Sequence, residues 1–302
     1  MTGLASLSID LDGLGQYHRL HALPSPPPGP DPVYARAVDR FGELCQRLGI
    51  RGTAFAVGAE LADPVAAAPL ARLSRAGHEV GNHSLSHDYA LTRRGPTAVA
   101  LEVRGGAEAI ERAVGRLPVG FRAPGYTLSA TLLATLAAQG YRYDSSAFPA
   151  APYWAAKAAV MAAMRLAGRP SAAILDRPRA LLAPRTPYHP SPDEPYARGD
   201  LPLLELPVTT GLAGFPLVGT FVATLPAAAL RAARAGTGRL PLVNLELHGI
   251  DLLDASDASP ALAARQRDLS VPAARKVARI EAFIRSLHRE WVPLEEAALR
   301  LG

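Results

Sequence analysis

The 302-residue chain has one cysteine, three methionines and two tryptophans, and aromatic residues make up only 6% of it. The single Cys45 excludes an intramolecular disulfide, so the sequence gives no reason to invoke an oxidising compartment. It lies in an apolar helical pattern with Phe41, Leu44 and Leu48, where a thiol packs as a small hydrophobe. No run reaches the ~18 to 20 apolar residues that a membrane-crossing helix needs. The first ten residues carry neither a basic segment nor an apolar stretch long enough for a secretion signal, which points to a cytoplasmic location. A lysine block is missing too: the formal charge of +5 comes from scattered arginines. That spread suits mild affinity for anionic groups and argues against a nucleic-acid interface. No internal period marks a solenoid or propeller.

What remains is ordinary for a soluble globular chain, at 49% hydrophobic and 20% charged residues, and is long enough for a full core. Residues 4–9 form an apolar run that ends in Asp10-Leu11-Asp12-Gly13, as a buried strand opening onto an acidic loop would. Residues 14–32 read as a proline-rich loop whose Tyr17, His18, Arg19 and His21 could form a lip over a site. Helices are predicted over 32–48 (behind an Asp31 cap), 64–76, 97–116 and 128–139. Strands are predicted between them at 51–58, 78–80, 119–122 and 141–144. Such alternation indicates a parallel α/β architecture, open or closed.

Residues 149–200 break the rhythm. Their helix, 154–167, is apolar nearly all round, so it packs on both sides or meets an apolar partner. Strands at 203–208 and 241–247 follow, with a helix at 224–235 between them. A polar loop spans 251–270, and an amphipathic helix covers 271–289. The expectation is one domain over residues 1–302, with an insertion at about 149–200 and a C-terminal helical extension at about 271–302.

Each predicted strand end carries a chemically useful group. Asp10 and Asp12 share parity. His83 and His87, four apart in Gly81-Asn82-His83-Ser84-Leu85-Ser86-His87, can reach one divalent ion from a tight loop or a helical turn. Arg122 in Phe121-Arg122-Ala123-Pro124-Gly125-Tyr126, Asp144 in Tyr143-Asp144-Ser145-Ser146, and His248 end later strands.

In that order, the Asp-x-Asp, His-Ser-x-x-His and Arg-x-Pro-x-Tyr-like elements resemble the polysaccharide deacetylase family, the carbohydrate esterases with a NodB-homology domain, over about residues 4–250. The resemblance implies a distorted (β/α) barrel of NodB-homology type. It also implies a divalent metal, zinc first with cobalt, nickel or manganese as alternatives, in a groove at the strand ends. Carried over, Asp12, His83 and His87 are the metal ligands, Asp10 is the general base and Arg122 orients it. His248 is the general acid, and Asp144 supports His248 or Arg122. Tyr126 and Glu246 are implied substrate contacts. Because Leu11 separates the aspartates, base and ligand stay interchangeable between Asp10 and Asp12. Gly125 stands where many relatives carry proline or serine. Glu246 shares the face of His248, where relatives have an apolar residue lining the acetyl methyl pocket. It therefore turns away, pairs with an arginine, or marks a smaller acyl group such as formyl.

The chemistry fits on its own terms. Two imidazoles and one carboxylate leave positions open for water and substrate, and amide hydrolysis needs a base and an acid with separated pKa values. The implied activity is removal of an acetyl or formyl group from an amino sugar. The FRAPGY and YDSS segments look most like enzymes of lipid-linked sugars. The alternatives are a peptidoglycan or chitooligosaccharide deacetylase, a cyclic amide or imide hydrolase of the same fold, and last a silent sugar-binding module. Helix 154–167 and the arginines at 165, 169, 177, 179 and 185 would suit a lipid phosphate at the inner membrane face, giving peripheral contact through residues 154–185. The competing reading is that this insertion simply packs on the barrel. Tyr188 and His189 line the groove or occupy a turn.

Overall fold

The computed structural model describes residues 3–302. Its frame is a sheet of eight strands: β1 (Leu4–Asp10), β2 (Thr53–Ala56), β3 (Glu79–Asn82), β4 (Gly120–Phe121), β5 (Tyr143–Asp144), β6 (Leu204–Glu205), β7 (Leu242–His248) and β8 (Glu290–Trp291). Their order is β6-β5-β4-β3-β2-β1-β7, with β8 beside the start of β1, and every pairing is parallel. Irregular chain spans the gap between β6 and β7. Thr209 donates its backbone N–H to Asn244 O at 3.1 Å, and Val218 bridges Glu246 in parallel. The result is a distorted (β/α) barrel, curled and closed by loop instead of ladder.

Register sorts the side chains into layers, because residues paired across neighbouring strands point to one side and the next residue points to the other. Asp10 pairs with Phe55 and with His248, and Ser8 with Glu246, so these look into the barrel. Leu4, Phe55, Tyr143, Leu204 and Leu242 fill the lower end together with Leu294 and Ala297 of helix Leu294–Leu301. Polar groups hold the middle, and the strand ends open upward onto the site. Ala5, Leu7 and Ile9 face outward into the main core beneath the helices.

Helix Pro96–Val114 shows how local sequence sets an element. Pro96 supplies a preset φ at the first position, and Gly115 at φ 81° closes it in the left-handed conformation that a side chain would penalise. Val99, Val103, Ala107 and Ile110 repeat at helical spacing and are its buried face.

Residues 14–20, expected as loop, are helix Leu14–Leu20. Its N-terminus has no local side-chain cap; instead Asp31 Oδ2 accepts from Leu14 N at 2.7 Å. The other oxygen of Asp31 accepts from Val33 N at 2.9 Å, at the start of the next helix, as the sequence predicts. One carboxylate thus serves two helix starts. The helix predicted at 224–235 is Ala227–Ala235, starting behind Pro226, and a further short helix, Gly219–Thr224, precedes it. The polar stretch 251–270 folds into short turns and a four-residue helix, Pro260–Ala263. The C-terminal stretch includes a strand as well as helices: β8 pairs with β1, and the last helix plugs the barrel. Helix Ala151–Leu166 buries only Trp154 fully, and Val160 and Leu166 are 58% and 90% exposed. It packs on one side, not on two.

Candidate metal centre

The loop after β3 is where local sequence does the most. Ser84 and His87 both adopt positive φ, at 66° and 55°, which is costly for residues with a side chain. Ser84 Oγ accepts from His87 N at 3.0 Å and Gly58 N–H donates to Ser84 O, so the turn is held from both sides. Histidines 83 and 87 are therefore brought together by a strained loop, not by a helical turn, with ring centroids 4.9 Å apart. His83 Nδ1 lies 2.7 Å from Arg122 O. A carbonyl can only accept, so the proton is on Nδ1 and the Nε2 lone pair is left facing inward.

Asp12 meets both rings. Its Oδ1 lies 3.1 Å from His83 Nε2 and 3.1 Å from His87 Nε2. All three side chains are buried, and their donor atoms lie within 4.8 Å of one another. Asp12 Oδ1 and both ring nitrogens of His87 have no hydrogen-bond partner, which is unusual for buried polar atoms. Burial pushes the Asp12 carboxyl up, but His87 and His83 outweigh it and hold it well below the usual range. Two imidazoles and a carboxylate with unused lone pairs converging on one point fit a divalent cation.

The two aspartates that sequence left interchangeable occupy different surroundings. Asp10 Oδ1 receives Arg122 Nη1 at 2.7 Å, and its Oδ2 is 3.9 Å from His83 Nε2, farther than Asp12 is. Arg122 is fully buried. It donates from Nε to Ser145 O and from Nη2 to Ser145 Oγ, both at 2.8 Å, and from Nη1 to Ser8 Oγ at 3.0 Å. Its guanidinium also stacks over Phe55 at 4.3 Å. Every part of it is held, so Asp10 has one orientation. Ser8, Ser145 and Asn244, whose Nδ2 donates to Ser145 Oγ at 2.9 Å, complete this layer. Sequence reasoning missed them, although each is a polar residue in an apolar strand or at its end.

Asp144 does not make the expected contact with His248 or Arg122. It pairs in register with Phe121 and Glu205, so it points to the outer side of the sheet, while Arg122 and Ser145, each one residue on, point inward. There Asp144 accepts from Ser146 Oγ at 2.9 Å. Burial raises its pKa and that of Glu205 beside it, with mutual repulsion adding to the shift of Glu205.

The partner of His248 is Glu246. Glu246 Oε1 lies 2.9 Å from His248 Nδ1, at zero exposure, and it does not line the cavity as a substrate contact would. Parity along β7 puts it directly below the histidine. Burial works against a charge on His248, but Glu246 above all, then Asp12 and Asp10, hold its pKa well above the ordinary value. The opposite nitrogen, Nε2, is 3.4 Å from Tyr126 Oη and 3.8 Å from Asp12 Oδ2.

These groups open onto a cavity of about 180 Å³, whose lining includes Asp10, Asp12, His83, Tyr126 and His248. Tyr17 and Leu20, on the unexpected first helix, form one wall, while His18 and His21 turn to Pro24 O and Gln266. Tyr89, Tyr153 and Lys157 also line it and were not anticipated. Tyr188 and His189 do not reach it: Tyr188 Oη donates to Pro195 O, and His189 bonds the carbonyls of Leu201 and Leu203.

A parallel barrel carries a carboxylate-histidine cluster at the carboxyl ends of its strands, and comparison with known proteins finds the same fold elsewhere. Residues 29–143 match the family model described as polysaccharide deacetylase. Among solved structures, a candidate polysaccharide deacetylase from Mycobacterium smegmatis shares 19% identity over 99% of this chain and 90% of that one, with a TM-score of 0.59. A carbohydrate esterase family 4 pseudoenzyme from Bacillus anthracis shares 9% identity over 98% and 66% of the two chains, with a TM-score of 0.53. A mutant of that pseudoenzyme with restored enzymatic activity gives 11%, 98%, 68% and 0.51 in the same terms. A comparison with curated proteins found no match. Over residues 29–143 the chain is similar in sequence to the polysaccharide deacetylase family, and its fold is that of the solved structures described above. The matched span holds His83, His87 and Arg122, while Asp10, Asp12 and His248 lie outside it and are brought to them by β1 and β7.

Proposed function

We propose that the protein hydrolyses a small N-acyl group, acetyl or formyl, from an amino sugar, with a divalent metal held by Asp12, His83 and His87. The observation that carries this reading is the approach of two imidazole nitrogens to one carboxylate oxygen, each at 3.1 Å, on the cavity that Asp10 and His248 also line. A bound ion would polarise the acyl carbonyl and lower the pKa of water at the site. Asp10, fixed through Oδ1 by Arg122, offers Oδ2 to take a proton from the attacking water. His248, charged by Glu246 at Nδ1, offers its Nε2 proton to the leaving amine, and the two groups divide base and acid work between them. Tyr126 Oη, 3.4 Å from that nitrogen, is in place to orient the same proton or the sugar. The cavity is smaller than the ~300 to 1,000 Å³ of most ligand sites, which suits a single sugar unit better than a polymer.

A lipid-linked sugar is the finer form of the proposal. It is supported by the exposed apolar side of helix Ala151–Leu166 and by Arg165 and Arg169, which make no side-chain ion pair among the described residues. The other arginines of the stretch are engaged internally, Arg177 and Arg179 with Glu194 and Arg185 with Thr210. No described helix is long and apolar enough to cross a membrane. The test is elemental analysis of the purified protein, followed by acetate and formate release from N-acetyl and N-formyl amino sugars, free and attached to lipid phosphate. About one metal per chain and metal-dependent release are expected. No release from any of these by metal-loaded protein would overturn the proposed activity on small amino sugars.

A further inference from the structure

The geometry points to a second recognition element in the same cavity, resting on the amino-sugar reading: Lys157 binds an anionic substituent of the substrate, a phosphate ester or a carboxylate. Of the 32 basic Lys and Arg residues, only Lys157 and Lys276 are lysines. Lys276 is accounted for by the fold, since it is fully buried and donates from Nζ to Ile250 O at 2.9 Å. Lys157 is not. Its side chain lines the cavity, and it makes no hydrogen bond or ion pair among the described residues. What holds it is aromatic: Nζ sits 4.8 Å from the Trp154 ring and 5.9 Å from that of Tyr153, both on the same helix. The carboxylate that acts on it is Asp176, whose Oδ2 is already taken by Tyr196 Oη and Leu128 N.

Gly125 keeps the approach to this ammonium open. It adopts φ +69°, and a Cβ there would stand 3.0 Å from Tyr89 and 3.7 Å from Lys157 Nζ. Burial draws the Lys157 pKa down to about 8, so the group is still mostly cationic at neutral pH. A partly desolvated charge without a counterion gains most from a ligand that brings one. A compact ammonium also suits a phosphate or carboxylate oxygen without imposing the planar fork of arginine. Nζ belongs to the cavity wall and not to the outer face of helix Ala151–Leu166. The anion it meets is therefore carried on the sugar or its immediate neighbour, not on a membrane surface.

Binding separates this idea from turnover. The metal-loaded full chain would be titrated by calorimetry with glucosamine, glucosamine 1-phosphate, glucosamine 6-phosphate and muramic acid, the last supplying a carboxylate. The same titrations would be run on K157M and K157R, with thermal melts as a folding control and K157Q in place of any variant that unfolds. At least one anionic sugar should bind the native chain roughly ten- to a hundredfold more tightly than glucosamine, as a charge-assisted contact gives. The arm that wins identifies phosphate or carboxylate. K157M should erase the preference while glucosamine affinity changes less than about twofold, and K157R should keep part of it. A native chain without preference for any anion, including one that binds none of the four sugars, overturns the proposal, as does a K157M chain that keeps the preference. Acyl release without anion preference would remove this subsite and spare the hydrolase reading; preference without acyl release would do the reverse.

Discussion

Replacing Glu246 by glutamine removes one buried charge and keeps the shape beside His248. In the native chain that carboxylate is 2.9 Å from Nδ1 and is the largest influence favouring a protonated ring, against the burial that opposes it. A contact of this charge-assisted kind is worth about 1.5 to 3 kcal/mol. Losing it should lower the His248 pKa. A general acid works only below its pKa, so the alkaline limb of the kcat profile should move to lower pH. The fall in kcat should therefore be small at acid pH and reach about ten- to a hundredfold above the new limb. The assay is acyl release followed across pH in metal-loaded protein. An NMR titration of the His248 ring protons gives the same shift without substrate. If E246Q loses activity equally at every pH and the ring titrates as before, Glu246 is packing under His248 and not charging it, and the division of acid and base fails with it.

Two further outcomes test other layers. H87A and D12A should each lose bound metal, measured by elemental analysis after gel filtration, whereas D10N should keep it and lose turnover by ~10² to 10⁴-fold; metal retained by D12A would contradict the ligand assignment. Glu79, buried at the lower end, accepts from Tyr143 Oη, Thr53 Oγ1 and Glu295 N, yet burial and then repulsion from Glu295 raise its pKa from 4.5 to about 7. The folded chain then holds this proton more tightly than the unfolded one. Its stabilising contribution is full below pH 4.5 and is lost as pH rises through about 7, a change of about 3 kcal/mol. Urea unfolding at several pH values should show this fall, and E79Q should flatten it. A native slope unchanged by E79Q would place the raised proton elsewhere.

The upper rim of the barrel was legible because parallel sheets gather their chemistry where strands end: Asp10, Arg122 and His248 close short apolar runs, and His83 and His87 follow the third strand. Which way a strand-end residue faces was not legible where the strand is two residues long. Asp144 reads as a site residue from its position in Tyr143-Asp144-Ser145, yet register with Phe121 turns it outward. Glu246 carried three open readings, and the structure gives one outside them, pairing with the histidine two residues on. Helix Leu14–Leu20 was hidden for a different reason: its cap, Asp31, comes from seventeen residues away, and local patterning cannot register such a bond. Nor could the break in rhythm at residues 149–200 reveal that Tyr153 and Lys157 belong to the cavity.

The shared carboxylate of Asp31 has a consequence for how the cavity is built. Its floor is anchored in the sheet through β1, β4 and β7, while the front panel bearing Tyr17 and Leu20 is pinned by Asp31 at its start and by His18 to Ser259 and His21 to Gln266 further along. The wall at the entrance is thus fastened by side chains that are not among the reacting groups.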